Sequence, residues 1–102
     1  PLYQLAASTD LWERRIAMIS TAYFISKNDL DDVFALAATL LKDTHDLIHK
    51  AVGWMLREAG KRDELRLKQF LDEHAAQMPR TMLRYSLERL NPVDKAYYMT
   101  VK

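Results

Sequence analysis

Helix breakers are so scarce in this chain that it has few ways to fold. Residues 2–52 contain neither glycine nor proline, and the whole sequence has two glycines and three prolines. Nothing in such a stretch interrupts a helix. Apolar residues return every three or four positions, and no alternating apolar run suggests a strand. The pattern predicts an all-α chain. Its 102 residues allow one domain at most, and 49% hydrophobic against 28% charged residues suits a water-facing globular unit.

Capping signals place the helices. Asp10, with Glu13 three residues on, predicts a helix over 11–26 whose expected inward face is Trp12, Ile16, Ile19 and Tyr23. Asp29, Asp31 and Asp32 suit the positive start of a second helix over 30–42, with Val33, Leu36, Ala37, Leu40 and Leu41 inward. Thr44 as N-cap and Gly60 as terminator bracket a third over 45–59, packed through Leu47, Ile48, Ala51, Val52 and Met55. A fourth, over 63–75, buries Leu65 or Leu67 with Phe70 and Leu71. Pro79 fits the first turn of a fifth over 79–90, with Met82, Leu83 and Leu87 inward. Asn91-Pro92 opens a short last helix through Tyr97 and Tyr98. Gly53 inside the third helix predicts a close approach of another helix or of a ligand backbone.

Short links fold successive helices into antiparallel hairpins. The first and third helices overlay at 36 residues, pairing Arg14 with Lys50, Ile16 with Val52 and Ala17 with Gly53. That period falls in the helical-repeat range. The expectation is a single HEAT-like domain over 1–102, an α-solenoid of five to six helices. Leu2, Tyr3, Leu5, Ala6 and Ala7 read as the end of a helix begun earlier, and Pro1 stands where Met is usual. The chain is therefore expected to be a C-terminal fragment lacking its N-terminal repeats. Self-association through an apolar end near Leu2, Leu5 and Trp12 is then expected as a consequence of truncation.

Net charge is only +1, but it is unevenly spread. Segments 44–62 and 78–90 are net basic, while 27–43 and 63–77 are net acidic. In a stacked repeat alternate helices line opposite walls, so one wall is basic and suits a polyanion such as duplex DNA. Lys50, Trp54, Arg57 and Lys61 share one helical face; Arg80 and Arg84 are one turn apart; Arg14 and Arg15 are adjacent, so one of the two points into such a groove. A solvated surface is the alternative for these charges. Trp54 either packs in a helix interface or stacks on a nucleotide, and Trp12 is expected in the core. His45 and His49 lack the intervening glutamate of a metalloprotease motif, so no metal site is expected. The chain has no cysteine for a disulfide or thiolate site and no apolar run of about 20 residues for a membrane span. A cytoplasmic location, working at the bacterial nucleoid, is expected.

Three stretches resemble a known family. Lys50-Ala51-Val52-Gly53-Trp54-Met55-Leu56-Arg57-Glu58 looks like the signature helix of the HEAT-like-repeat bacterial DNA alkylation repair enzymes, the AlkD-like alkylpurine DNA glycosylases. Leu11-Trp12-Glu13-Arg14-Arg15-Ile16-Ala17 resembles their Trp-x-Arg-Arg helix, and Pro79-Arg80-Thr81-Met82-Leu83-Arg84-Tyr85 with Glu88 their C-terminal Arg-Tyr helix. The resemblance implies hydrolysis of the N-glycosidic bond of cationic N3- or N7-alkylated purines in duplex DNA, without cofactor. It places Arg57 on a backbone phosphate and the family's catalytic Asp, with its Trp, upstream of this chain. Asp10, Asp29 and Asp46 do not match that Asp, and Tyr97 and Tyr98 are the candidates for a late active-site aromatic. The expected catalytic set is accordingly empty, and the expected DNA-binding set is Arg14, Arg15, Lys50, Trp54, Arg57, Lys61, Arg80 and Arg84. A non-catalytic DNA-binding repeat and a protein-binding scaffold stand as the competing readings.

Overall fold

The computed structural model describes residues 2–101 and is all-helical over them. Seven α-helices follow one another: α1 Leu2–Ala6, α2 Leu11–Ser26, α3 Asp31–Thr39, α4 Asp46–Arg62, α5 Glu64–His74, α6 Arg80–Ser86 and α7 Pro92–Thr100. A single 3-10 turn, Ala75–Gln77, extends α5. They form a slab 37 × 30 × 18 Å, a thickness that fits two helix layers spaced about 8–10 Å apart. Helices α2, α4 and α6 lie side by side in one layer, with α4 central and packed against both neighbours. Helices α1, α3, α5 and α7 make the other.

Polar ties join each step of that second layer. The Tyr3 hydroxyl donates to Asp32 at 2.6 Å, linking α1 to α3. Arg66 donates to Asp31 at 2.7 Å, and Phe34 meets Phe70 with ring centroids 5.5 Å apart, linking α3 to α5. Lys68 pairs with Asp94 at 2.8 Å and Tyr98 donates to Asp72 at 2.9 Å, linking α5 to α7. Between the layers, apolar side chains from all seven helices form one cluster.

The helix starts differ from expectation in detail. Asp10 caps α2 by accepting from the Trp12 amide at 2.9 Å, but Glu13 takes the Ser8 hydroxyl, and Ser8 in turn accepts the Asp10 amide. The box is thus closed through a serine. Thr44 is not the cap of α4; the chain enters through His45 without a side-chain bond. Gly60 does not end α4, which runs on to Arg62 and stops where Asp63 swings to φ −152° and caps α5. Gly60 instead faces Leu67, so its missing Cβ serves α4–α5 packing. Helix α6 ends at Ser86 rather than Leu90: the buried Ser86 hydroxyl turns back onto the Leu83 carbonyl, and the last amides tighten onto i−3 acceptors. Asn91 and Pro92 behave as read, with Asn91 accepting the Asp94 amide at 2.9 Å.

Two inward faces are corrected. Trp12, Ile16, Ile19 and Tyr23 are exposed, and α2 packs through Ala17, Met18, Thr21 and Ile25 instead. Both faces recur at helical spacing, and the one with smaller residues lets α2 approach α4. Leu47 and Leu65 are likewise exposed, while Leu67 is buried. Burial also resets the repeat. Ala17, Met18, Thr21 and Ile25 correspond to Ala51, Val52, Met55 and Ala59, and these to Met82, Leu83, Ser86 and Leu90. The offset is 34 residues and then 31, rather than the 36 of the sequence overlay.

Gly53 sets the closest of these contacts. A Cβ there would lie 2.6 Å from the Tyr85 Cβ and 2.7 Å from the Met82 carbonyl oxygen. Backbone cannot yield as a flexible side-chain tip can. Gly53→Ala is therefore expected to destabilise the fold by about 1–3 kcal/mol, although alanine is the better helix former. Urea unfolding of the two proteins measures it; a stabilised alanine variant would contradict the packing.

Candidate nucleic-acid interface

The layer of α2, α4 and α6 is the basic one. Helix α6 carries Arg80 and Arg84 and no carboxylate; α4 carries Lys50, Arg57, Lys61 and Arg62 against Asp46 and Glu58; α2 carries Arg14 and Arg15 against Glu13. In the opposite layer α3 carries Asp31 and Asp32 and no cation. The outer face of the basic layer holds a cleft of about 340 Å³ lined from all three helices. Its polar and aromatic lining is Arg15, Lys50, Trp54 and Tyr85, and its apolar floor includes Ile19 and Met55. Among the described residues no carboxylate lines it.

The repeat register explains why the two aromatics meet. Trp54 and Tyr85 are 31 residues apart, the offset that superposes the buried positions of α4 and α6. They occupy one position in adjacent repeats, and Gly53 brings their helices together. Trp54 is 47% exposed and lines the cleft. Sequence reasoning left Tyr85 out of the binding set and gave Tyr97 and Tyr98 only as candidates for a late active-site aromatic. Both belong to α7 in the other layer, where Tyr98 donates to Asp72; burial, and then that carboxylate, push its phenol well up.

The eight expected DNA-binding residues divide into groups. Arg15, Lys50 and Trp54 come together in the cleft. Lys50 is paired with Asp46 at 3.3 Å, but both side chains are exposed, so the pair holds it weakly. Arg84 lines a separate shallow hollow with Glu88, Lys95 and Met99. Arg80 donates to the Met99 carbonyl at 3.0 Å, bracing α6 against α7. Arg57 lies over the Trp54 ring, 3.9 Å from its centroid, and pairs with Glu58 at 3.1 Å and Glu88 at 2.8 Å. Lys61 donates to both oxygens of Glu58. Burial pushes the Glu58 carboxyl up, but hydrogen bonds from Lys61 and Arg57 outweigh it and hold the group below the usual carboxylate range.

Arg14 faces away from the cleft. Its Nε donates to Asp43 at 2.7 Å and its Nη1 to the Ser8 carbonyl at 3.1 Å, with both side chains of the ion pair largely buried. Of the adjacent arginines, Arg15 therefore lines the cleft and Arg14 clamps α2 to the α3–α4 link. Arg14→Ala leaves a mostly buried carboxylate without its cation, so about 3 kcal/mol of stability is expected to go. A thermal or urea melt of that variant, matching the parent within about 0.5 kcal/mol, would contradict the clamp.

Among the described residues no cluster of His, Asp and Glu is placed to hold a metal ion, and no helix is long and apolar enough to cross a membrane. No curated protein and no solved structure matches the chain. A family model described as DNA alkylation repair enzyme matches residues 1–90, which take in α1 to α6 and every residue of the cleft. The chain belongs to the DNA alkylation repair enzyme family.

Proposed function

We propose that the chain is the DNA-cradling, C-terminal part of a HEAT-like-repeat glycosylase that excises N3- or N7-alkylated purines from duplex DNA. One observation carries the reading: Arg15, Lys50, Trp54 and Tyr85, from the three neighbouring helices of one layer, share a cleft that no carboxylate of the described residues lines. Cations placed beside an open apolar trough suit a phosphate backbone, and exposed aromatics suit the edge or face of a base. Membership of a DNA alkylation repair family supports the choice of DNA over other polyanions.

The chemistry asks for more than this segment supplies. A purine carrying a positive charge on its ring is already a good leaving group, so the protein's task is to stabilise the electron-poor sugar left behind. A carboxylate does that best. With none in the cleft, the carboxylate is proposed to come from a part of the enzyme beyond these residues, in keeping with the upstream Asp that the resemblance implies. The same lack of a carboxylate favours a second reading, a DNA-binding repeat without catalysis.

Duplex binding measured over a range of salt concentrations tests the shared part of both readings. Arg15→Ala and Lys50→Ala should each flatten the plot of log affinity against log salt by about 0.9, and do so alike for unrelated sequences. Unchanged slopes would remove the cleft from the interface. Release of 7-methylguanine from methylated duplex by the complete gene product then separates the two: release supports the glycosylase, and binding without release supports the non-catalytic repeat.

A further inference from the structure

Arg57 and Glu88 stand 31 residues apart, so they occupy equivalent positions in adjacent repeats, about one helical turn along from Trp54 and Tyr85. The sequence resemblance gives Arg57 a phosphate to hold. The geometry gives it something else. Its side chain is only 12% exposed, although it sits on the basic layer, because the Trp54 ring and two carboxylates surround it. Nη1 donates to Glu88 at 2.8 Å, and Nε and Nη2 donate to one Glu58 oxygen at 3.3 and 3.1 Å. Glu58 is shared with Lys61, whereas Arg57 is the cation that Glu88 holds. Arg57 does not line the cleft that Trp54 lines; it borders a second cavity on the α5 side.

We propose that Glu88 is a positioning residue for the cleft: it holds the Arg57 guanidinium against one side of the Trp54 ring, fixing the indole with its other side to the cleft, and withdraws Arg57 from the cations that meet phosphate. A charged partner 3.9 Å from the ring centroid is close enough for a cation–π contact, which stiffens an otherwise half-exposed indole. The Glu88 carboxylate, itself half-exposed, keeps that cation in place by a charge-assisted hydrogen bond across the repeat interface. Glu88 touches no ligand in this arrangement and acts through Arg57.

Glu88→Gln keeps the size and removes the charge, and Glu88→Asp tests rescue; Arg57→Met removes the guanidinium but keeps an apolar stem. Trp54 is read alone in a Trp12→Phe background by acrylamide quenching, and duplex binding by its salt slope. The account expects Arg57→Met to leave the slope unchanged, and Glu88→Gln not to flatten it, since Glu58 still holds Arg57. It also expects Trp54 to be quenched more readily in both variants, with partial recovery in Glu88→Asp. A slope flattened by about 0.9 in Arg57→Met, or Trp54 quenching unaltered by Glu88→Gln, overturns the proposal. The slope arm rests on the DNA-binding reading and the quenching arm does not. If the parent chain ignores duplex even at low salt, that reading fails, and quenching alone decides the role of Glu88.

Discussion

The close passage of α4 against α6 is the contact on which the rest of the architecture depends. It exists because residue 53 has no side chain: any Cβ would collide with the Met82 carbonyl. A glycine in mid-helix costs about 1 kcal/mol relative to alanine, so the packing it allows must return more than that. Around this contact α4 becomes the central strut of the layer, burying Ile48, Val52 and Leu56 completely. The same passage sets Trp54 beside Tyr85. Core packing and the outer cleft are two sides of one helix crossing.

The two layers do different electrostatic work. In the layer of α1, α3, α5 and α7, tyrosines and charged groups are consumed in pairwise ties, one or two for each helix step. In the layer of α2, α4 and α6, positive groups outnumber negative ones, and Arg15, Lys50 and Arg84 stay at the surface or in the cleft. Not every cation there is available. Arg14 is committed to Asp43, and Arg57 to Glu58 and Glu88. A count of basic residues on a helix face therefore overstates the charge such a face can offer to a polyanion. Pairing decides how many remain.

How much of this could be read from the sequence varied with the kind of signal. Helix class followed from the scarcity of breakers, and the start of α7 was legible to the residue because Asn91-Pro92 combines two independent starting signals. Gly53 was legible as a close approach, since little else keeps glycine inside a helix. Gly60 misled, because a glycine near a helix end serves equally well as a terminator or as a packing notch, here for Leu67. The inward face of α2 misled for a related reason. Its helix has large apolar residues on one side and Ala17, Met18, Thr21 and Ile25 on another, and periodicity weighs both alike. Size favours the first face; close packing selects the second. In the cleft, Lys50 and Trp54 were legible from helical spacing, whereas Tyr85 needed the true repeat offset, which only the buried positions reveal.

Titrating the labelled chain with a short unmodified duplex and following its backbone amide resonances tests the central claim most directly. The account predicts shifts confined to the cleft-facing turns of α2, α4 and α6, around Arg15, Lys50, Trp54 and Tyr85. The amides of α3, α5 and α7 should stay still. Shifts centred on that opposite layer, or none at low salt, would contradict it.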